Sequence, residues 1–241
     1  MRQRQAIPLR SALASAACVG LVVGCGGAAP APREGRVGDG EKPAVAARPE
    51  VVPMTESDVG AMSEYDVAKV MKDARAGLGD CIARAAELRA YVEGGLEVTL
   101  HVGKGGRVLN VLPTRSTLGD RDAERCILSH LAKQPWPAPV GGKVGTVRQE
   151  FDFAARGRAA STMPGGWLSA AGGRAKERLA SCGEGPLSVT AYVDTDGKLL
   201  SAGAATTEPA VLGQLDCAAR ALAEVTFPSP GSWHGKVTIT R

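Results

Sequence analysis

Apolar residues recur at helical spacing through Val67, Val70, Met71, Ala74, Leu78, Cys81, Ile82 and Ala85, which predicts an amphipathic helix. The period then shortens to two. Leu96, Val98, Leu100 and Val102 alternate with Glu97, Thr99 and His101, the pattern of a half-buried strand. Gly103-Lys104-Gly105-Gly106 supplies a turn, and Val108 to Leu112 returns as a second strand. Asp120 is suited to cap a second helix, with Ala123, Cys126, Ile127 and Leu131 on one face. Beyond the breaker Pro135-Trp136-Pro137, Val147, Phe151 and Phe153 alternate with Arg148, Glu150 and Asp152 in a last strand.

This order, helix-strand-strand-helix-strand, occurs twice. LEVTLHVGKGGRVL at 96–109 lies over LSVTAYVDTDGKLL at 187–200 with an offset of 91. The same offset carries Cys126 onto Cys217, Leu131 onto Leu222, and Trp136-Pro137-Ala138-Pro139 onto Phe227-Pro228-Ser229-Pro230. In the second copy Leu168, Ala171, Ala175, Leu179 and Cys182 form the helix stripe, and Asp196-Gly197 the hairpin turn. Leu212, Leu215, Ala219 and Leu222 predict its second helix, and Val237 and Ile239 its last strand. One amphipathic helix cannot bury itself, so the expected fold is α+β: two tandem units, each with two helices on a three-stranded antiparallel sheet. The units span 62–153 and 165–241, joined by a linker at 154–164.

Residues 1–24 read as an export signal. Arg2, Arg4 and Arg10 precede a small apolar stretch at 11–24, too short for an ordinary spanning helix. Leu21-Val22-Val23-Gly24-Cys25 resembles the bacterial lipobox. That resemblance implies cleavage after Gly24 and lipidation of Cys25, and Gly26 implies sorting to the outer membrane. More than one acyl chain gives stable anchoring to a membrane. Residues 25–61 are dominated by Pro, Gly, Ala and charge without periodicity, and read as a disordered tether.

The whole chain carries a formal charge of +4, but without the three leading arginines it has 26 basic and 25 acidic residues, a net of +1. Phosphate binding needs concentrated Lys and Arg, so no nucleic-acid partner is expected. Only nine residues are aromatic, which leaves a core of Ala, Val and Leu.

The element order, the turn glycine, the cysteine in each helix and the aromatic-Pro-x-Pro before the last strand resemble the TonB C-terminal-like domain. They are most similar to its cysteine-paired, AgmX-type relatives in myxobacterial envelope proteins. The resemblance covers 62–153 and 167–241. With Cys18 in the signal and Cys25 at the lipid site, Cys81, Cys126, Cys182 and Cys217 remain, and four cysteines allow three pairings. The duplication selects Cys81–Cys126 and Cys182–Cys217, one bridge per unit, in a compartment where disulfides persist. Zinc sites usually need close cysteine pairs. Spacings of 44, 55 and 34 intervening residues therefore argue against a metal, and the lack of C-x-x-C argues against a redox site.

No catalytic constellation is legible. His101, His130 and His234 fall on no matching positions of the repeat. Asp194-Thr195-Asp196-Gly197 lacks the later ligands of a calcium loop, and Gly141-Gly142-Lys143 is followed by Val144 where a P-loop needs Ser or Thr. Ser116 and Ser201 lack a G-x-S-x-G setting. No cofactor is expected.

The reading is a non-enzymatic cell-envelope lipoprotein with its domains in the periplasm, whose units contact an unidentified envelope protein. An open sheet has edges, and an edge accepts an extended segment by strand addition. The expected edges are the last strands, with Val147, Gln149, Phe151 and Phe153 in one unit and Val237 and Ile239 in the other. Arg148, Glu150 and Asp152 suit equally a role as gatekeepers against pairing. The alternative is a ligand- or cell-wall-binding lipoprotein using a cleft between the units, with Trp136, Trp167 and Trp233 as its candidate residues.

Overall fold

The computed structural model describes residues 57–163 and 169–241. The expected signal, Cys25, the tether up to residue 56, and Trp167 and Leu168 lie outside the described residues. The first half comprises β1 (Ser57–Gly60), α1 (Glu64–Leu88), β2 (Gly94–Gly103), β3 (Val108–Ser116), α2 (Arg121–Ala132) and β4 (Gly142–Phe153). The second comprises β5 (Ser161–Thr162), α3 (Ser169–Ala180), β6 (Ser188–Val193), β7 (Leu199–Ala205), α4 (Leu215–Ala221) and β8 (Gly235–Thr240).

The sheets run β1-β4-β2-β3 and β5-β8-β6-β7. Each therefore holds the expected antiparallel three strands, with β2 and β6 at their centres. To each is added one short parallel strand that the pattern did not announce. β1 lies inside the stretch assigned to the tether, and β5 inside the linker 154–164. The reason is physical: the one large apolar residue of β1, Val59, is 76% exposed, and Ser161 and Thr162 of β5 are exposed, so no hydrophobic alternation marks either strand.

Local chemistry starts both first-half helices. The Ser63 hydroxyl accepts the Asp66 amide at 3.3 Å ahead of α1, and the Asp120 carboxylate accepts the Ala123 amide at 3.0 Å ahead of α2. The helices cover one face of each sheet. Leu78, Leu96, Leu100, Ile127, Leu131 and Trp136 are buried in the first core; Leu179, Val189, Leu215, Leu222 and Phe227 fill the second. The disulfides Cys81–Cys126 and Cys182–Cys217 join the two helical segments within each half.

The repeat signature has a structural cause. Gly106 and Gly197 adopt φ of 78° and 81°, and a Cβ on either would run into the carbonyl oxygen of Trp136 or Phe227. The turn glycine and the aromatic-Pro-x-Pro segment are thus packed against each other, and neither half has room for a side chain there. A second set matches as closely: Met62 and Pro139 both lie against Gly145, and Met163 and Pro230 against Gly235.

The halves are not beads on a string; they pack into one compact unit. Val189, Ala191 and Val193 of β6 face the second core, whereas Thr190 and Tyr192, both fully buried, face the first half. The Tyr192 hydroxyl donates to the Glu93 carbonyl at 2.9 Å and accepts the Glu93 amide at 3.0 Å. The Thr190 hydroxyl donates to the Ser116 carbonyl at 3.0 Å, and Lys236 Nζ to the Glu93 carbonyl at 2.9 Å. The Thr206 amide reaches the Pro113 carbonyl at 2.8 Å.

Candidate functional site: the outer edges of the two sheets

β4 pairs along its full length with β2, but β1 covers its outer side only at Gly142–Gly145. Ladder bonds alternate along a strand. Gly95 and Glu97 of β2 turn their carbonyls toward the β3 side, where Thr117 N–H (2.8 Å) and Thr114 Oγ1 (3.3 Å) donate to them. Leu96, Val98 and Leu100 therefore bond β4 through Phe151, Gln149 and Val147, and the backbone groups of Arg148, Glu150 and Asp152 point outward. Among the described residues no strand pairs with that side.

The side chains named from the sequence point elsewhere. Val147 is buried, and Gln149, Phe151 and Phe153 are half-buried on the helix-covered face, the two phenyl rings stacked at 6.2 Å. What β4 presents is its backbone edge and the exposed row Thr146, Arg148, Glu150 and Asp152. This row belongs to a charged ladder: the Arg115 guanidinium of β3 reaches across β2 to Glu150, and lies 3.5 Å from Glu97.

The second edge is shorter. Arg241 N–H donates to the Leu187 carbonyl at 2.9 Å, while the Lys236 carbonyl accepts Met163 N–H of the segment after β5. By the same alternation Thr238 and Thr240 turn outward, and Val237 and Ile239 bond β6 with their side chains in the core. A groove of about 530 Å³ runs beside this edge, walled by Gly172 and Gly173 of α3. A Cβ at either glycine would touch nothing within 4 Å, so the wall is bare.

Between the halves lies a groove of about 320 Å³ lined by Arg89, Arg121, Arg125, Arg220, Asp120, Asp122 and Asp216, among others. Most of its charge is spoken for. Arg89 bonds Asp120 at 2.7 Å, Arg121 bonds Asp216 at 2.7 Å, and Arg125 bonds Asp122 at 2.7 Å and Asp216 at 3.3 Å. The Arg121 hydrogen bond holds the Asp216 carboxyl below its usual range. Neither Trp136 nor Trp233 lines this groove. Trp136 is buried in the first core, its indole N–H on the Leu131 carbonyl at 2.8 Å; Trp233 donates to the Ala159 carbonyl at 3.1 Å.

The residue that sequence reasoning missed is Glu124. Fully buried at the junction, its carboxylate accepts the Ser116 hydroxyl at 2.6 Å, the Ala204 amide at 2.9 Å and the Arg121 guanidinium at 3.3 Å. Burial raises its pKa to about 7 against the pull of those donors. Gly203 leaves the space, since a Cβ there would strike this carboxylate. The available signal was the repeat itself: the offset of 91 places an acid where the second copy has Leu215.

His101, His130 and Asp194 make hydrogen bonds within the fold. His101 pairs with Asn110 Oδ1 at 2.7 Å, and His130 lies 3.1 Å from the Ala74 carbonyl, over Gly77. The Asp194 carboxylate accepts the amides of Asp196 and Lys198, as a hairpin turn requires. Among the described residues no histidine bonds a serine or cysteine, no cluster of three or more His, Cys, Asp or Glu is placed to hold a metal, and no helix is long and apolar enough to cross a membrane. Comparison of the chain with protein-family models, with curated proteins and with solved structures returns no match.

Proposed function

We propose that this chain is a non-enzymatic cell-envelope lipoprotein, held to a membrane through Cys25, whose β4 edge receives an extended segment of an envelope protein by strand addition. The observation that carries the reading is the outward-turned backbone of Arg148, Glu150 and Asp152, left without a strand partner among the described residues. Main-chain hydrogen bonds along such an edge give affinity, and neighbouring side chains give selectivity. The exposed Arg148, Glu150 and Asp152 would select a segment with an acid opposite the first and bases opposite the other two. The resemblance to TonB C-terminal-like domains, read from the repeat signature, points the same way.

The groove between the halves supports a second reading, the binding of a ligand or of cell-wall material. Its carboxylates already hold three of its four arginines, which favours the edge.

Two measurements test the proposal. Labelled palmitate should enter the wild-type chain and not Cys25→Ala; equal labelling removes the anchor. Arg148→Pro deletes one outward N–H while sparing the β2 ladder, and proline is tolerated on an edge. The variant should lose the envelope protein that the wild-type chain retains on affinity capture from solubilised membranes. Unchanged capture removes strand addition.

A further inference from the structure

The two disulfides are equivalent in the repeat but not in their surroundings. In the first half Arg84 of α1 directs Nη2 onto Cys126 Sγ at 2.7 Å and lies 3.9 Å from Cys81 Sγ. Both cysteines line a surface groove of about 710 Å³ between α1 and α2, with Arg84, His130 and Lys133 around it. A second depression, of about 310 Å³, is also lined by both cysteines, Cys81 itself being buried. Cys126 is only half-buried. In the second half the residue three beyond Cys182 is Gly185, so the guanidinium has no counterpart.

A cation beside a sulfur lowers the thiolate's energy, and a better-stabilised thiolate leaves a disulfide faster. We infer that Cys81–Cys126 is a thiol-exchange site, the preferred point of attack on this protein by an envelope dithiol such as a disulfide oxidoreductase. The chain is the substrate of the exchange and not its catalyst. A thiolate of the dithiol attacks Cys126 Sγ; a new S–S bond forms there, the Cys126–Cys81 bond breaks, and the electron pair goes to Cys81 Sγ within reach of Arg84. The second thiol of the dithiol then loses its proton to water and displaces Cys126 as a thiolate beside the same guanidinium. The chain gains two electrons and the dithiol leaves as its own disulfide. Arg84 is thus a positioning residue for both departing sulfurs.

The site also connects to the junction of the halves. α2 carries Cys126 on one face and Glu124 and Arg121, which hold β7 and Asp216, on the other. The dithiol state of the bridge therefore bears on the helix that joins the two halves.

The test uses the folded full-length chain and dithiothreitol, with timed acid quenching, alkylation and mass-spectrometric mapping of each cysteine pair. Cys81–Cys126 should open about tenfold faster than Cys182–Cys217. In Arg84→Gln the ratio should fall at least threefold, and Arg84→Lys, which keeps the charge, should restore most of it. A purely structural role for Arg84 would raise the rate in Arg84→Gln by loosening the bridge and would leave Lys no special standing. Equal rates in the wild-type chain, or a ratio indifferent to Arg84→Gln, overturn the inference. Circular dichroism of each variant shows that the fold is intact.

Discussion

The Glu124 carboxylate accepts the Ala204 amide at 2.9 Å, and this buried bond ties α2 of one half to β7 of the other. A carboxyl whose folded pKa is about 7, against an ordinary value of 4.5, holds its proton more tightly when folded. The folded state then binds more protons than the unfolded state between those values, so stability falls as pH rises through the window. The full effect is on the order of 3 kcal/mol. Asp216, lowered by Arg121, acts in the opposite sense and below that window, losing its contribution as pH falls. In urea titrations Glu124→Gln should therefore flatten the decline between pH 5 and pH 7. An unchanged slope would place the titration elsewhere.

Tyr192 fastens the same junction. Its hydroxyl satisfies both backbone groups of Glu93, and its ring lies beneath Lys236 Nζ at 5.4 Å and against Tyr91. Burial raises the pKa of the phenol and lowers that of the Lys236 ammonium. Tyr192→Phe leaves the Glu93 amide without its partner, while the carbonyl keeps Lys236 Nζ, and should cost about 1–3 kcal/mol in chemical denaturation. A loss below a few tenths of a kcal/mol would mean that water takes over the hydroxyl's role.

How much of this was legible in the sequence divides by kind of interaction. The strands through Leu96–Val102 and Leu187–Val193, the two helix stripes of the first half and the cystine pairing follow from apolar period and from the repeat, because each buries its own side chains. β1 and β5 do not, because Val59, Ser161 and Thr162 are exposed and leave no apolar alternation. The junction was hidden for another reason: Thr190 and Tyr192 sit on the alternation's polar face, which a single sheet would give to water and which here meets the other half. At the candidate site β4 stands second in its sheet, behind a β1 that pairs it only at Gly142–Gly145; Val147 and Phe151 pack inward, and beyond β1 the outward groups are the backbone of Arg148, Glu150 and Asp152.

The bridges close separate loops, with sequence separations of 45 and 35 residues. In the chain-entropy account each constrains the unfolded state by about 4 kcal/mol. Replacing either pair by alanines should lower stability by about 2–5 kcal/mol in equilibrium unfolding. Near-neutral behaviour of both double variants would show that hydrophobic packing alone sustains the fold.

Gly106 and Gly197 offer a paired check on the duplication. Each has a left-handed backbone and a carbonyl where Cβ would go, so Gly106→Ala and Gly197→Ala should each destabilise by about 2 kcal/mol or more. Thermal unfolding of the two variants should show losses of similar size. Tolerance at one position and not the other would break the equivalence of the turns.

The central claim is that contact is made through the outer edge of β4. The most direct measurement places a photo-crosslinking residue at position 148 on that edge, or at position 73 on the exposed face of α1, in the full-length chain in cells. A discrete protein adduct from 148 that is absent from 73, and that disappears when Glu150→Pro is added, is the expected result. Adducts of equal yield from both positions, or from 73 alone, would contradict it.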